Sequence, residues 1–272
     1  MNQLYNLIKQ LFKSDTCQRL IILLIIGMIW QIFALYIHHN VRNGHLLFPT
    51  ITETIEVFAD LITTQEFIGK ILLTIYILTY CFFIGSILAF IFSTISITSH
   101  IGRNVIELIA FPMSSLPAVA LISAAILAFK SNFTGTVFVV SNAVFWTVLA
   151  ATHAGFTHVP KTLKMVGQNY GLNPILQVFL ILFPASLPSI LTGLRLGISR
   201  AFQAFVAVEL VLGSVSGKGA LGFFIAEAKN NYQPPLVYAG LFAILFISWI
   251  IDAKLFGWIE KRTVIKWGMK NF

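Results

Sequence analysis

Apolar runs of about 20 residues recur along most of this chain, each bounded by polar or charged residues. A chain with this pattern lies mainly within lipid instead of being anchored there by one segment. Run length and polar breaks mark six spans, at about 20–38, 68–97, 105–129, 134–155, 188–212 and 236–258. Composition agrees: 57% of the 272 residues are apolar and 10% are charged, against roughly 25% charged in a soluble domain. The expected class is an all-α, polytopic membrane protein with six transmembrane helices.

Before the first span, Leu4, Leu7, Ile8, Leu11 and Phe12 fall at helical spacing among Asn6, Lys9, Gln10 and Lys13, which predicts an amphipathic helix on a membrane surface. The run Leu20 to Ile37 is longer than a signal-peptide core and no A-x-A cleavage site follows it, so it reads as a retained anchor. An even number of spans puts both ends on one side. That side carries Lys9, Lys13, Arg19, Arg103, Lys161, Lys164, Lys254, Lys261, Arg262, Lys266 and Lys270; the other carries Arg42, Lys70, Lys130, Lys218 and Lys229. The excess predicts cytoplasmic termini. The net charge of +8 belongs to this topology, since the cations form no groove or aromatic-interleaved patch for nucleic acid.

Two outward features invite chemical readings. Leu210 to Phe224, "LVLGSVSGKGALGFF", suggests a phosphate loop, but Gly213 is one residue too close to Gly217-Lys218 and Gly219 replaces the magnesium-binding hydroxyl residue. Its glycines read as sharp turns on the outer face and Lys218 as a solvated charge, a candidate contact for an outer partner. His38, His39 and His45 lack chelating spacing, as do His153 and His158, so no metal site is expected. Cys17 and Cys81 make no disulfide framework. Between the first two spans, Ile51, Ile55, Phe58, Leu61 and Ile62 predict a short surface helix capped by Thr50 or Thr52.

The segment Thr152 to Leu187 leaves a span, stays polar for some twenty residues, and returns past Pro184 and Pro188, which are expected to break or start a helix. Within it Pro160 opens a short helix, Leu163, Val166 and Tyr170 recur every three or four residues, and Gly171 stops it. Lys161, Lys164 and Gln168 are expected on its wet side.

This loop resembles that of the permease subunits of binding-protein-dependent ABC importers, E-A-A-x3-G-x9-I-x-L-P. Here Met165-Val166-Gly167 is followed after three residues by Gly171, then after nine by Ile181, and then by Phe183-Pro184. "FPASLPSILTGLRLGISRAFQAFVAVEL" is similar to the "LPAALPSILTGLR…E" stretch of the nitrate, sulfonate and taurine branch, and "ALGFFIAEAKNNYQPPLVYAGLFAI" resembles that branch after the fifth span. The likeness runs from about Phe67 to Trp267. Departures are Met165 for the family's glutamate, Val166 and Gly167 for its alanines, and Ser123 and Lys130 near the end of the third span.

The resemblance implies a type I ABC importer (MetI-like) permease fold in a bacterial cytoplasmic membrane. Residues 1–66 then hold the amphipathic helix, first span and outer helix; 67–258 the core, with a coupling loop at 156–187; and 259–272 a basic cytoplasmic tail. It implies a homodimer, two cytoplasmic ATPases that bind the ATP and magnesium, an extracytoplasmic substrate-binding protein, and no cofactor on this chain. Lys161, Lys164, Met165, Val166, Gly167, Gln168, Gly171, Ile181 and Pro184 become coupling-loop candidates.

Arg195, Arg200 and Glu209 are ionisable residues inside the fifth span, where each needs a partner or a water-filled cavity. At about 1.5 Å per residue, Arg200 sits near midspan, with Gln203 one turn away. Arg200 and Gln203 are expected to line a pathway for a small anionic or polar solute, the alternative for the arginine being a structural ion pair with another helix or subunit. Arg195 is a further pathway candidate whose match to the family's "GLR" suggests a structural role, and Glu209 has a packing or gate-bracing role. A membrane-embedded enzyme would need convergent titratable groups, which one helix does not supply. A non-transporting scaffold or sensor is the other alternative, against which the loop spacing argues.

Overall fold

A computed structural model describes residues 15–272 apart from 216, 218, 267 and 269–272. The amphipathic helix expected over residues 1–13 lies outside the described residues, as does Lys218. Helix α1 (Asp15–Asn40) holds the first apolar run. Helix α2 (Ile51–Leu61) is capped by Thr50: its hydroxyl accepts from Glu53 N at 3.2 Å and Glu53 Oε2 accepts from Thr50 N at 2.9 Å. This reciprocal pair selects Thr50 over Thr52. Gln31 Oε1 on α1 accepts from Ile51 N at 3.0 Å, tying the two helices together.

The next run forms α3 (Gln65–Thr98), followed by α4 (His100–Ser114) and α5 (Ala118–Ala128). Here the sequence expectation of one span over 105–129 meets a bent pair, because α4 and α5 meet at 98°. Pro112 weakens the end of α4, and Pro117, which has no N–H, starts α5 from an extended conformation. Among the described residues, counting the bent pair as one span gives six membrane-length units, otherwise five.

Helices α6 (Asn132–His158) and α7 (Lys161–Asn169) precede α8 (Pro174–Leu212). Pro184 stands in the first turn of the regular α-helical stretch Phe183–Leu212, as expected of a helix start, whereas Pro188 lies inside it, contrary to expectation. A π turn at Val178–Leu182, in which Phe183 N donates to Val178 O, widens the helix directly before Pro184 and absorbs its missing hydrogen bond. The predicted fifth span therefore starts well before Pro188. Helix α9 (Leu221–Asn230) and helix α10 (Pro234–Ile265) follow, α10 containing π turns at Ile251–Phe256 and Lys261–Ile265.

The core is α3, α6 and α8, with α6 against α8 the largest contact. Small residues set these distances. A Cβ on Gly85 would lie 2.6 Å from Ser141 O, one on Gly193 would lie 2.5 Å from Ala151 Cβ, and one on Gly197 would lie 2.9 Å from Val148 Cγ2. In lipid, where apolar side chains gain little by leaving solvent, such close backbone approach and its van der Waals contact drive helix association. Ser141 Oγ also donates to Cys81 O at 3.1 Å across the α3–α6 interface.

Candidate functional site

The coupling-loop residues come together through two successive caps. Gly171, at φ +67°, closes α7: Gly171 N donates to Gln168 O at 2.9 Å and Leu172 N to Gly167 O at 3.1 Å, the paired bonds of a Schellman cap. Asn173 then opens α8, its Oδ1 accepting from Leu176 N at 2.8 Å, with Pro174 in the first turn. Gln177 Nε2 donates to Lys164 O at 2.7 Å, and a Cβ on Gly167 would lie 2.5 Å from Ile181 Cδ1. The spacing that joins Gly167, Gly171, Ile181 and Pro184 in sequence is thus a short helix seated on a π turn.

The exposed side differs from expectation. Lys164 is half-buried, turning its Nζ to Thr157 O at 3.3 Å instead of facing water. Burial, followed by the nearby charges of Arg103 and Lys161, pulls the Lys164 ammonium below the ordinary lysine range. Lys161 and Gln168 are exposed, and so are Leu163, Met165, Val166 and Tyr170, the last at 80%. Only Gly167 in α7 is buried among the described residues. The apolar stripe of α7 is therefore left uncovered by its own chain.

Arg200 and Gln203 line a cavity of about 360 Å³ at the α4–α5 break, with Ser114, Ser115, Asn142, Trp146 and Thr147. Arg200 is the one charged side chain on its wall among the described residues, and no carboxylate joins it. Sequence reading found Arg200 and Gln203 but missed the other polar groups. The available signals were the Ser-Ser pair between Pro112 and Pro117 and the lone Asn142 in an apolar span.

Arg195 is outside this cavity. Its Nε lies 3.1 Å from Asp252 Oδ1 and a terminal nitrogen lies 3.1 Å from Glu260 Oε2, joining α8 to α10. That makes it a brace between helices, the ion-pair alternative that the sequence offered beside a pathway role.

Glu209 is fully buried near the far end of α8. Its Oε1 accepts from Ala220 N at 2.9 Å, and its Oε2 from Gly222 N at 2.9 Å and Phe223 N at 3.2 Å; Thr74 Oγ1 of α3 takes Leu221 N at 3.1 Å. All four amides at the start of α9 are thereby satisfied by side chains from α8 and α3. Gly213, Gly217 and Gly219, at φ +76°, +81° and +64°, allow the turn that brings those amides back. The glycine-rich stretch does hold an anionic group, and that group is the chain's own carboxylate.

A further cluster escaped sequence reading. His153 Nδ1 lies 2.7 Å from Ser96 Oγ and its Nε2 lies 3.6 Å from Glu107 Oε1, linking α3, α4 and α6 beside α7. Three residues so distant in sequence carry no shared spacing. Among the described residues no group of three His, Cys, Asp or Glu side chains has metal-binding proximity.

A bundle of membrane-length helices, with a projecting rigid helix at one end and an arginine-lined cavity between helices, is the build of a transport permease. Residues 82–264 match the family described as binding-protein-dependent transport system inner membrane component, and the chain belongs to that family. It is 31% identical to the nitrate import permease protein NrtB of Synechocystis over 51% of this chain and 50% of that one. It is 29% identical to the bicarbonate transport system permease protein CmpB of Synechococcus elongatus over 46% and 47%, respectively. A probable ABC transporter permease protein of Brucella melitensis is 25% identical over 78% of this chain and 85% of its own. The chain spans about half the length of the nitrate and bicarbonate permeases it matches.

Proposed function

We propose that this chain is the membrane subunit of an importer that passes a small oxyanion, of the nitrate or bicarbonate kind, along the cavity lined by Arg200 and Gln203. The supporting observation is that wall: one guanidinium, several neutral hydrogen-bonding groups and no carboxylate, a set that attracts and orients an anion without trapping it. The names of the nitrate and bicarbonate permeases among its relatives agree with this reading.

In this reading two copies pair, both termini are cytoplasmic, and each α7 docks on a cytoplasmic ATPase that holds the ATP and magnesium. A substrate-binding protein delivers solute from the other side. Because α7 is capped, wedged by Gly167 and bonded through Gln177, it moves as a rigid lever, and ATPase closure rocks the helices behind it. The chain has no catalytic role of its own. Ser96, at 2% exposure within α3, is closed to substrate, so its link to His153 and Glu107 belongs to the scaffold.

Co-expression with the ATPase encoded beside its gene should yield two permeases and two ATPases, with hydrolysis stimulated by loaded binding protein; failure of any such ATPase to co-purify would sink the importer reading. Arg200→Ala should lower oxyanion uptake into proteoliposomes at least about tenfold while assembly persists. Unchanged uptake would remove Arg200 from the pathway. Gly171→Val puts a β-branched residue at φ +67°, and should lower ATPase association while membrane insertion survives. If association is untouched, the coupling helix has been placed wrongly.

A further inference from the structure

No Asp or Glu occurs between Glu107 and Glu209. The whole projecting loop is therefore without a negative side chain, and Glu107 lies against His153. The first residue of α7 is Lys161, exposed. A cation at that position faces the positive end of the helix dipole, an arrangement unfavourable by roughly 0.3–1 kcal/mol at a surface. Lys164 and Arg103 add positive potential close by; after burial, the charges of Arg103 and Lys161 also disfavour the charged form of Lys164. Nothing within the described residues offsets Lys161.

From this positive end to the C-cap, Leu163, Val166 and Tyr170 form one stripe at three- and four-residue spacing, all exposed. The helix that carries them is held by the Schellman cap, by the Gly167–Ile181 contact and by Gln177. A partner that covers the stripe orders little that is not already ordered.

Resting on the coupling reading above, we propose that the ATPase face that receives α7 is an apolar slot for Leu163, Val166 and Tyr170, with carboxylate at the rim beside Lys161. The carboxylate supplies the negative charge that this loop lacks, and it sits where the helix dipole and Lys161 both favour an anion. Arginine or lysine at that rim would face a helix end already carrying excess positive charge.

The test uses the co-expressed permease–ATPase complex in lipid nanodiscs. A carbodiimide activates a rim carboxylate, the Lys161 amine attacks it, an amide forms and a urea leaves. Wild type should give a covalent permease–ATPase product. Lys161→Arg should keep the association and lose most of that product. Lys161→Glu, which suits the first turn of a helix and so leaves α7 folded, should weaken ATPase association about tenfold at low salt, and less at high salt. Tyr170→Ala should weaken it at all salt concentrations.

Lys161→Glu binding as tightly as wild type would overturn the acidic rim, and so would a product that survives Lys161→Arg. An effect of Lys161→Glu confined to nanodiscs containing anionic lipid, and missing in phosphatidylcholine, would overturn it in favour of a lipid headgroup. If wild-type permease co-purifies with no ATPase, the coupling reading itself has failed, which is a separate result.

Discussion

At one end of α8 the glycine-rich turn folds around Glu209, and each amide from Ala220 to Phe223 has an acceptor within the chain. At the other end α7 presents Leu163, Val166 and Tyr170 to the outside and balances its lysines with no acid of its own. The two turns use similar residues: glycine in the left-handed region, a helix start, a polar cap. They differ in what they leave unsatisfied. The Glu209 turn is closed on itself and behaves as a structural joint, whereas the α7 turn is rigid in backbone yet incomplete in surface, as a docking element must be.

Breaking the closed joint should have the largest effect. Glu209→Ala leaves three amides, two of them buried, without acceptors, at about 1–3 kcal/mol for each buried one before relaxation. It should sharply lower the yield of folded protein and the thermal midpoint in detergent; an unchanged midpoint would show that the α9 start finds other acceptors. Gly167→Leu should act on the open end alone. Its side chain would have to displace Ile181 and Gln177, at roughly 1–3 kcal/mol, so amide exchange across residues 161–177 should quicken while α3 and α6 stay protected. Protection lost throughout would mean that the two ends are not independent.

The smallest expected effect is a pH dependence of the open end. The ammonium of Lys164 is held below its ordinary value, so folding disfavours its charged form. Stability of the α7 turn should rise with pH between that lowered value and the ordinary lysine value of 10.5. Lys164→Met should abolish the rise, as read by amide exchange of α7 at increasing pH after correction for intrinsic rates.

Much of this was legible in the chain. Run lengths marked the membrane helices, and local rules marked the caps at Thr50 or Thr52, Pro160 and Gly171. Such features depend on residues within one turn of each other, so spacing reveals them. The bend within the third span went unread, and Pro188 was misread as a break, for a related reason. Proline signals a local cost, but whether a helix bends by 98°, as at α4–α5, or widens into a π turn, as in α8, depends on the neighbours that hold it.

By itself, then, the sequence determined that this is an all-helical membrane chain with an amphipathic loop helix of family spacing, because lipid and local hydrogen bonding leave few alternatives. Tertiary structure decided which charges meet. Glu209 joins amides eleven to fourteen residues away, Arg195 is taken by Asp252 and Glu260, His153 stands between Ser96 and Glu107, and Arg200 keeps a cavity wall without a carboxylate. A side chain's partner inside a bundle is set by which helix faces pack together, and that is a property of the whole chain that no single stretch encodes.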